Sequence, residues 1–264
     1  MPEAYGDVVR KIRISKKGAV ISFSSTPDVA LSLDSFTDFR LYEGKEVSAL
    51  EMRNILSYAK ADGLYEEAIR LLRRKRYTSY ELRAKLSPKG EDKDTLRRVI
   101  FRLKEKRLLD DESYAREYAE EMGELKKYGK KKILFSLQEK GIDPQILASL
   151  PFGEEEERER AKDYLSSWEK GKSSLPSSLK KRKAMAALLA HGFEEETAKE
   201  ALSSLSPEDE KAVEEKLDKD YRLAKAHYER KYKGNELKSR MVASLARKGY
   251  PYESILRKCE EDFE

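Results

Sequence analysis

One cysteine and two histidines are all that this 264-residue chain offers of the residues most often used in redox, metal and nucleophile chemistry. A lone Cys259 cannot close an internal disulfide and suits a reducing compartment. His191 and His227 have no Cys or His partner at metal-ligand spacing, so a zinc site is not expected. Long apolar runs are missing too. No stretch is apolar enough to span a membrane or to act as a signal peptide, and a cytoplasmic protein without membrane contact is expected. Proline is scarce, at eight residues, which leaves room for many helices. What is abundant is charge, at 40% of residues against 39% apolar. That balance suits exposed helices laced with opposite charges and several small cores rather than one large one.

Catalytic motifs are equally thin. Gly171-Lys172-Ser173 resembles the end of a phosphate-binding loop, but Ser166 stands where the leading glycine belongs and no apolar strand precedes it. Asp110-Asp111-Glu112 is the densest acidic cluster and would be the metal site of a nuclease. An acidic residue before an apolar-periodic stretch is more simply a helix cap. No cofactor is expected.

The strongest positive signal is a repeat. Leu86/Gly90, Leu137/Gly141, Leu188/Gly192 and Leu245/Gly249 each place a leucine four residues before a glycine, and successive glycines lie 51, 51 and 57 residues apart. Before the glycine stands Lys89, Lys140, His191 or Lys248; after it, in the last three copies, comes Ile142, Phe193 or Tyr250. Glycine supplies the left-handed turn that stops a helix, and a cation complements the exposed carbonyls of the last turn. Leu82, Ile133, Ala184 and Met241 fall one helical turn before the leucines, so each copy carries a buried ridge. About fifty residues hold three average helices. The chain is therefore expected to be mainly α, with tandem three-helix repeats stacked on one another behind a small N-terminal α+β domain. The boundaries read as a leader over 1–60 and repeats over 61–109, 110–152, 153–206 and 207–264.

In the leader, Val9, Ile12 and Ile14, a turn at Lys16-Lys17-Gly18, then Val20 to Phe23 predict a hairpin, with a short third strand over 29–33. Residues 41–47 read as a turn, and Ser48 with Glu51 predicts a capping box opening a helix through Leu56.

Charge is unevenly spread. Residues 65–109 hold 15 Lys/Arg against 7 Asp/Glu, whereas 151–220 hold 13 against 18. A basic unit of this kind often faces a polyanion, although solvated helix faces would give the same count. Charge and helical geometry select Arg73, Arg74, Arg76, Arg97, Arg98, Phe101 and Arg102 in the first repeat, and Lys131, Lys132, Lys183, Arg240 and Lys248 later, as the candidate phosphate-binding and base-stacking surface. Phe101 is expected on the polar side of its helix, and Phe135 repeats the arrangement beside Lys131 and Lys132. Aromatics among cations suit base stacking, and burial against a neighbouring repeat is the competing role.

These residues also carry a family resemblance. Ser79-Tyr80-Glu81-Leu82, Leu86, the run Leu108-Leu109-Asp110-Asp111-Glu112-Ser113-Tyr114-Ala115, Gly129-Lys130-Lys131-Lys132-Ile133 and Leu137 with Lys140-Gly141-Ile142 together resemble the RecX family, regulators of the RecA recombinase. The resemblance covers roughly residues 60–264 and suggests a long form with a fourth repeat. It implies tandem three-helix repeats forming an elongated curved array that lies along filaments of RecA on single-stranded DNA and inhibits their activity without catalysis; no long coiled-coil heptad requires a dimer, so a monomer is expected. Arg107 departs from the family, where glycine is frequent, and so does Lys132, where arginine is common. The alternatives are an independent helical DNA-binding protein and, using Asp110 and Asp111, a metal-dependent nuclease.

Overall fold

The computed structural model describes residues 7–87, 93–172 and 174–263. Gly90, Lys89 and Ser173, named above, lie outside them. The chain forms two compact units, one of residues 1–116 with 137–148, the other of residues 117–136 with 149–264.

The first unit opens on an antiparallel sheet ordered β3-β2-β1-β4, from β1 (Asp7–Ser15), β2 (Gly18–Phe23), β3 (Val29–Leu31) and β4 (Glu46–Val47). Alternation sends Ala19, Ile21 and Phe23 to one face, where they meet Val9, Leu31, Val47, Met52 and Ile55 in the leader's core. The hairpin and the third strand match expectation. The segment expected as a plain turn does more, because Glu46 and Val47 pair with Val8 and Asp7. A short helix, α1 (Leu33–Asp38), also lies between β3 and β4.

Helix α2 (Ala49–Leu72) starts at Ser48, whose hydroxyl accepts from the Glu51 amide at 3.2 Å. The reciprocal half of the expected capping box is absent, since the Glu51 carboxylate pairs with Lys45 at 2.6 Å. Nor does the helix stop near Leu56. It runs on for 24 residues, with Gly63 tolerated where the repeat's own apolar stripe of Leu64, Tyr65 and Ala68 takes over burial.

Three-helix sets follow: α2 with α3 (Ser79–Leu86) and α4 (Lys93–Glu105); α5 (Asp111–Lys126), α6 (Lys130–Glu139) and α7 (Pro144–Ser149); α8 (Glu154–Glu169), α9 (Ser177–Ala190) and α10 (Glu195–Ala201); α11 (Glu210–Tyr228), α12 (Gly234–Arg247) and α13 (Tyr252–Phe263). A full capping box does occur at α3, where the Glu81 amide donates to Thr78 Oγ1 at 3.1 Å and the Thr78 amide to Glu81 Oε2 at 3.2 Å.

The middle helix of each set carries the repeated ridge. Leu82 with Leu86, Ile133 with Leu137, Ala184 with Leu188, and Met241 with Leu245 are all at 0% exposure. Full burial of such a side chain is worth about 1.5–3 kcal/mol. The helix stops follow from hydrogen bonding. Ile142, Phe193 and Tyr250 donate to the carbonyls of Leu137, Leu188 and Leu245 at 3.1, 3.2 and 3.4 Å, and the preceding glycines take φ of 71°, 94° and 86°. This six-to-one closure with a left-handed residue explains the spacing, because it joins the leucine, the glycine and the next apolar residue in one turn.

Candidate nucleic-acid and filament interface

The glycine turns that end α6, α9 and α12 are also where the preceding middle helix begins. In the first unit, Thr78 at the start of α3 donates its hydroxyl to the carbonyl of Lys140 at the end of α6, at 2.7 Å. The second unit repeats this twice. The amides of Gly129 and Lys131 donate to His191 and Gly192 at 3.0 Å each, and the Ser178 hydroxyl donates to Gly249 at 2.7 Å. A methyl group at Gly141 would lie 2.3 Å from Cγ of Tyr80, one at Gly192 2.3 Å from Cβ of Lys132, and one at Gly249 2.8 Å from Cβ of Leu179. The glycines therefore serve the backbone turn and the close approach together.

The cation before each glycine is tied into its own joint or set. Lys140 reaches Glu81 at 2.9 Å. Burial alone would lower its pKa, but its bonds to Glu81 and Tyr114 outweigh burial and raise it. His191 stacks on Tyr164 with ring centroids 3.9 Å apart and meets Tyr128 edge-on at 5.0 Å, while its Nε2 lies 2.9 Å from the Lys126 carbonyl. Burial, reinforced by Lys132 and opposed by that carbonyl, lowers its pKa. Lys248 pairs with Asp220 at 2.9 Å.

The candidate surface residues of the first unit separate into three places. Arg73, Arg74 and Arg76 are exposed at the end of α2. Arg97 and Phe101 stand on the outer face of α4, where Phe101 is 63% exposed and Arg97 lies 3.4 Å from the equally exposed Asp94. Arg98 and Arg102 face the other way. Arg98 lies over the Tyr58 ring at 5.4 Å. Arg102 bonds Asp62 at 2.7 Å and Asp34 at 3.2 Å, with Tyr65 4.3 Å beneath its guanidinium. Asp62 in turn accepts from the Ser32 amide at 2.7 Å. Arg102 thus fastens the leader to the helices, and that commitment removes it from the surface open to phosphate.

In the second unit, Lys131 and Lys183 are exposed, and Phe135 is 61% exposed, as its helical position predicts. Lys132 sits 4.0 Å over the Tyr128 ring. Arg240 lies 3.8 Å from Glu236 and 5.0 Å over Tyr232. One cation of the Lys180–Lys183 run behaves differently. Lys180 is 2% exposed, pairs with Glu169 and donates to the Ser206 carbonyl at 2.9 Å. The repeat register held the signal for this, because the position twelve residues before the glycine is buried in every described copy: Thr78, Gly129, Lys180 and Leu237.

A family model described as RecX, second three-helix domain, matches residues 110–149. The regulatory protein RecX of Streptococcus agalactiae serotype Ia is 28% identical over 257 residues, spanning 94% of this chain and 96% of that one. Its counterpart in Staphylococcus aureus strain JH9 is 26% identical over 262 residues, covering 96% and 95%. The chain is similar to RecX regulatory proteins over nearly the whole length of both. Two solved structures share the fold: a regulatory protein RecX with TM-score 0.64 and 20% identity, covering 73% of this chain and 97% of that one, and RecX from Lactobacillus salivarius with TM-score 0.52 and 23% identity, covering 55% and 96%. Both solved chains are shorter than this one, in keeping with a long form.

The matched RecX domain begins on the acidic cluster, and its carboxylates have structural duties. Asp110 accepts from the amides of Glu112 and Ser113 at 3.0 Å, capping α5, and those bonds hold its pKa low. Asp111 accepts from the Ser79 amide at 2.7 Å and from Lys104 at 2.9 Å. Among the described residues no group of three or more His, Cys, Asp or Glu could hold a metal ion. Arg107, the family departure noted above, takes φ of 53° at the end of α4, the conformation glycine adopts at low cost. No helix among the described residues is long and apolar enough to cross a membrane.

Proposed function

We propose that this protein binds filaments of a RecA-type recombinase assembled on single-stranded DNA and limits their growth, ATP hydrolysis and strand exchange, without catalysis of its own. The observation that carries the reading is the match to RecX regulatory proteins over nearly the full length of both chains. The exposed cations Arg73, Arg74, Arg97, Lys131 and Lys183, with Phe101 and Phe135 beside them, support it by offering phosphate and base contacts on helices of successive sets. These residues are mostly Lys and Arg, which position on phosphates rather than read bases, and that favours a filament partner over sequence-specific DNA recognition.

The test is ATP hydrolysis by recombinase filaments already formed on single-stranded DNA, titrated with this protein. Inhibition at well below one molecule per recombinase subunit is expected. Inhibition that requires DNA-saturating protein, or that vanishes on preformed filaments, would refute the proposal in favour of simple competition for DNA.

A further inference from the structure

Residues 219–248 hold ten Lys/Arg against three Asp/Glu, the reverse of the acidic stretch that precedes them. Three of the ten have carboxylate partners within the fold: Lys225 with Asp262 at 2.5 Å, Lys248 with Asp220 at 2.9 Å and Arg240 with Glu236 at 3.8 Å. Arg222, Arg230, Lys231 and Lys233 are exposed and, among the described residues, form no ion pair. Arg222 lies on the outer face of α11 with Leu223, Ala226 and His227, and Arg230, Lys231 and Lys233 follow in the turn beyond the helix. Leu223 is 58% exposed. A cation or two near a helix C-terminus complements the free carbonyls. Four such cations, three of them past the end of the helix, exceed that need.

Aromatic rings are interleaved with this charge. His227 meets Tyr228 edge-on at 4.8 Å, Tyr228 and Tyr232 lie 6.4 Å apart, and the Arg240 guanidinium lies 5.0 Å from the Tyr232 ring. Both tyrosines are only partly buried against the core of this set. The carboxylates within the patch are Glu229 and Glu236, the latter 3.8 Å from Arg240. A guanidinium on a tyrosine, flanked by unpaired cations, presents charge to phosphates and flat surface to bases.

We propose that the fourth helical set carries its own binding site for single-stranded DNA, formed by the C-terminal half of α11 and its turn into α12. This goes beyond recombinase regulation, since the site binds bare DNA with no recombinase present. Phosphates lie on Arg222, Arg230, Lys231 and Lys233, and a base stacks at Tyr232.

The experiment is fluorescence anisotropy of a labelled oligothymidylate with the full-length protein, across a salt series and without recombinase. The triple variant Arg230→Glu, Lys231→Glu, Lys233→Glu should bind at least tenfold more weakly, and its salt slope should be shallower by about 2, at roughly 0.7 per phosphate contact. Tyr232→Leu, which keeps apolar bulk, should weaken binding several-fold. Circular dichroism and thermal unfolding should be unchanged in the triple variant, because its sites are exposed; if it does not fold, the neutral pair Arg222→Gln, Lys231→Gln is expected to weaken binding in the same direction. Absence of binding by the unmodified protein, unaltered affinity and slope in the variants, or equal affinity for duplex DNA would overturn the proposal. Filament ATP hydrolysis with the unmodified protein decides the recombinase reading separately, so the two can fail independently.

Discussion

Replacing Gly192 with alanine tests the joint between helical sets, because two separable costs meet there. The first is conformational. At φ of 94° a side chain is strained whatever the space, and the left-handed region costs a non-glycine residue roughly 1–2 kcal/mol. The second is steric. The added methyl would lie 2.3 Å from Cβ of Lys132 and 2.6 Å from its backbone nitrogen, and the backbone cannot rotate aside like a side-chain tip. Forced overpacking of this kind costs about 1–3 kcal/mol. Gly171, in the same unit, separates the two, since it has φ of 75° but nothing within 4 Å of its would-be Cβ. Gly171→Ala should therefore pay the conformational cost alone, while Gly192→Ala should lose about 2–5 kcal/mol in total. Urea denaturation of both variants measures the difference. Equal destabilisation would refute the claim that the repeat glycine exists for the close approach as well as for the turn.

Three further outcomes are expected. Lys180→Met should cost about 3–5 kcal/mol, because it leaves Glu169 charged and without its ammonium; the double variant with Glu169→Leu should recover much of that loss in the same denaturation assay, and no recovery would argue against the pair. Arg107→Gly should raise stability by about 0.5–1 kcal/mol by relieving a left-handed non-glycine residue, and a lower thermal midpoint would show that the side chain matters more than the backbone strain. The pKa of His191 is lowered in the fold, so its stabilisation is complete above the unfolded value near 6.5 and falls as pH drops below it, when the unfolded chain takes up a proton that the folded one resists. Denaturation midpoints at pH 7.5 and 5.5 should therefore converge in His191→Gln relative to the unmodified protein, and an identical pH dependence would discard the assignment.

The ridge and the helix stops were legible because they are local. A leucine, a glycine four residues later and an apolar residue after it are the covalent imprint of one hydrogen-bonded turn, and the turn needs no partner to be recognised. The exposure of Phe101 and Phe135 follows from periodicity in the same way. The fates of individual cations were not legible. Arg102 and Arg98 read alike in sequence, yet Asp62 is forty residues away from Arg102, on α2, and only the packing of α2 against α4 brings the two together. Strand β4 was hidden for a related reason, since two residues carry no alternation and their pairing depends on β1. The continuity of α2 was not legible either, because the leader's helix and the first helix of the repeat carry separate apolar stripes, and tertiary burial of Leu64, Tyr65 and Ala68 joins them across Gly63.

The joints also account for a charge pattern that would otherwise oppose helix formation. α6 opens on Lys130, Lys131 and Lys132 with no acidic residue in its first turn, although the unsatisfied amides of a helix start carry partial positive charge and favour anions there. In the second unit that pole is not bare. The carbonyls of His191 and Gly192, from the negative end of α9, accept from the amides of Gly129 and Lys131, and the Glu157 carboxylate accepts from the amide of Lys130 at 3.0 Å. Opposed ends of two helices cancel one another where they meet, so lysines can occupy the first turn of α6 without standing against an uncompensated dipole. α9 shows a related device, with the Glu208 carboxylate on the Ser177 amide ahead of Lys181, Arg182 and Lys183. The same end-to-end docking that requires glycine at the stop thereby permits cations at the start of the preceding middle helix, which is how a chain with nearly balanced charge can still keep exposed lysine and arginine on successive helical sets.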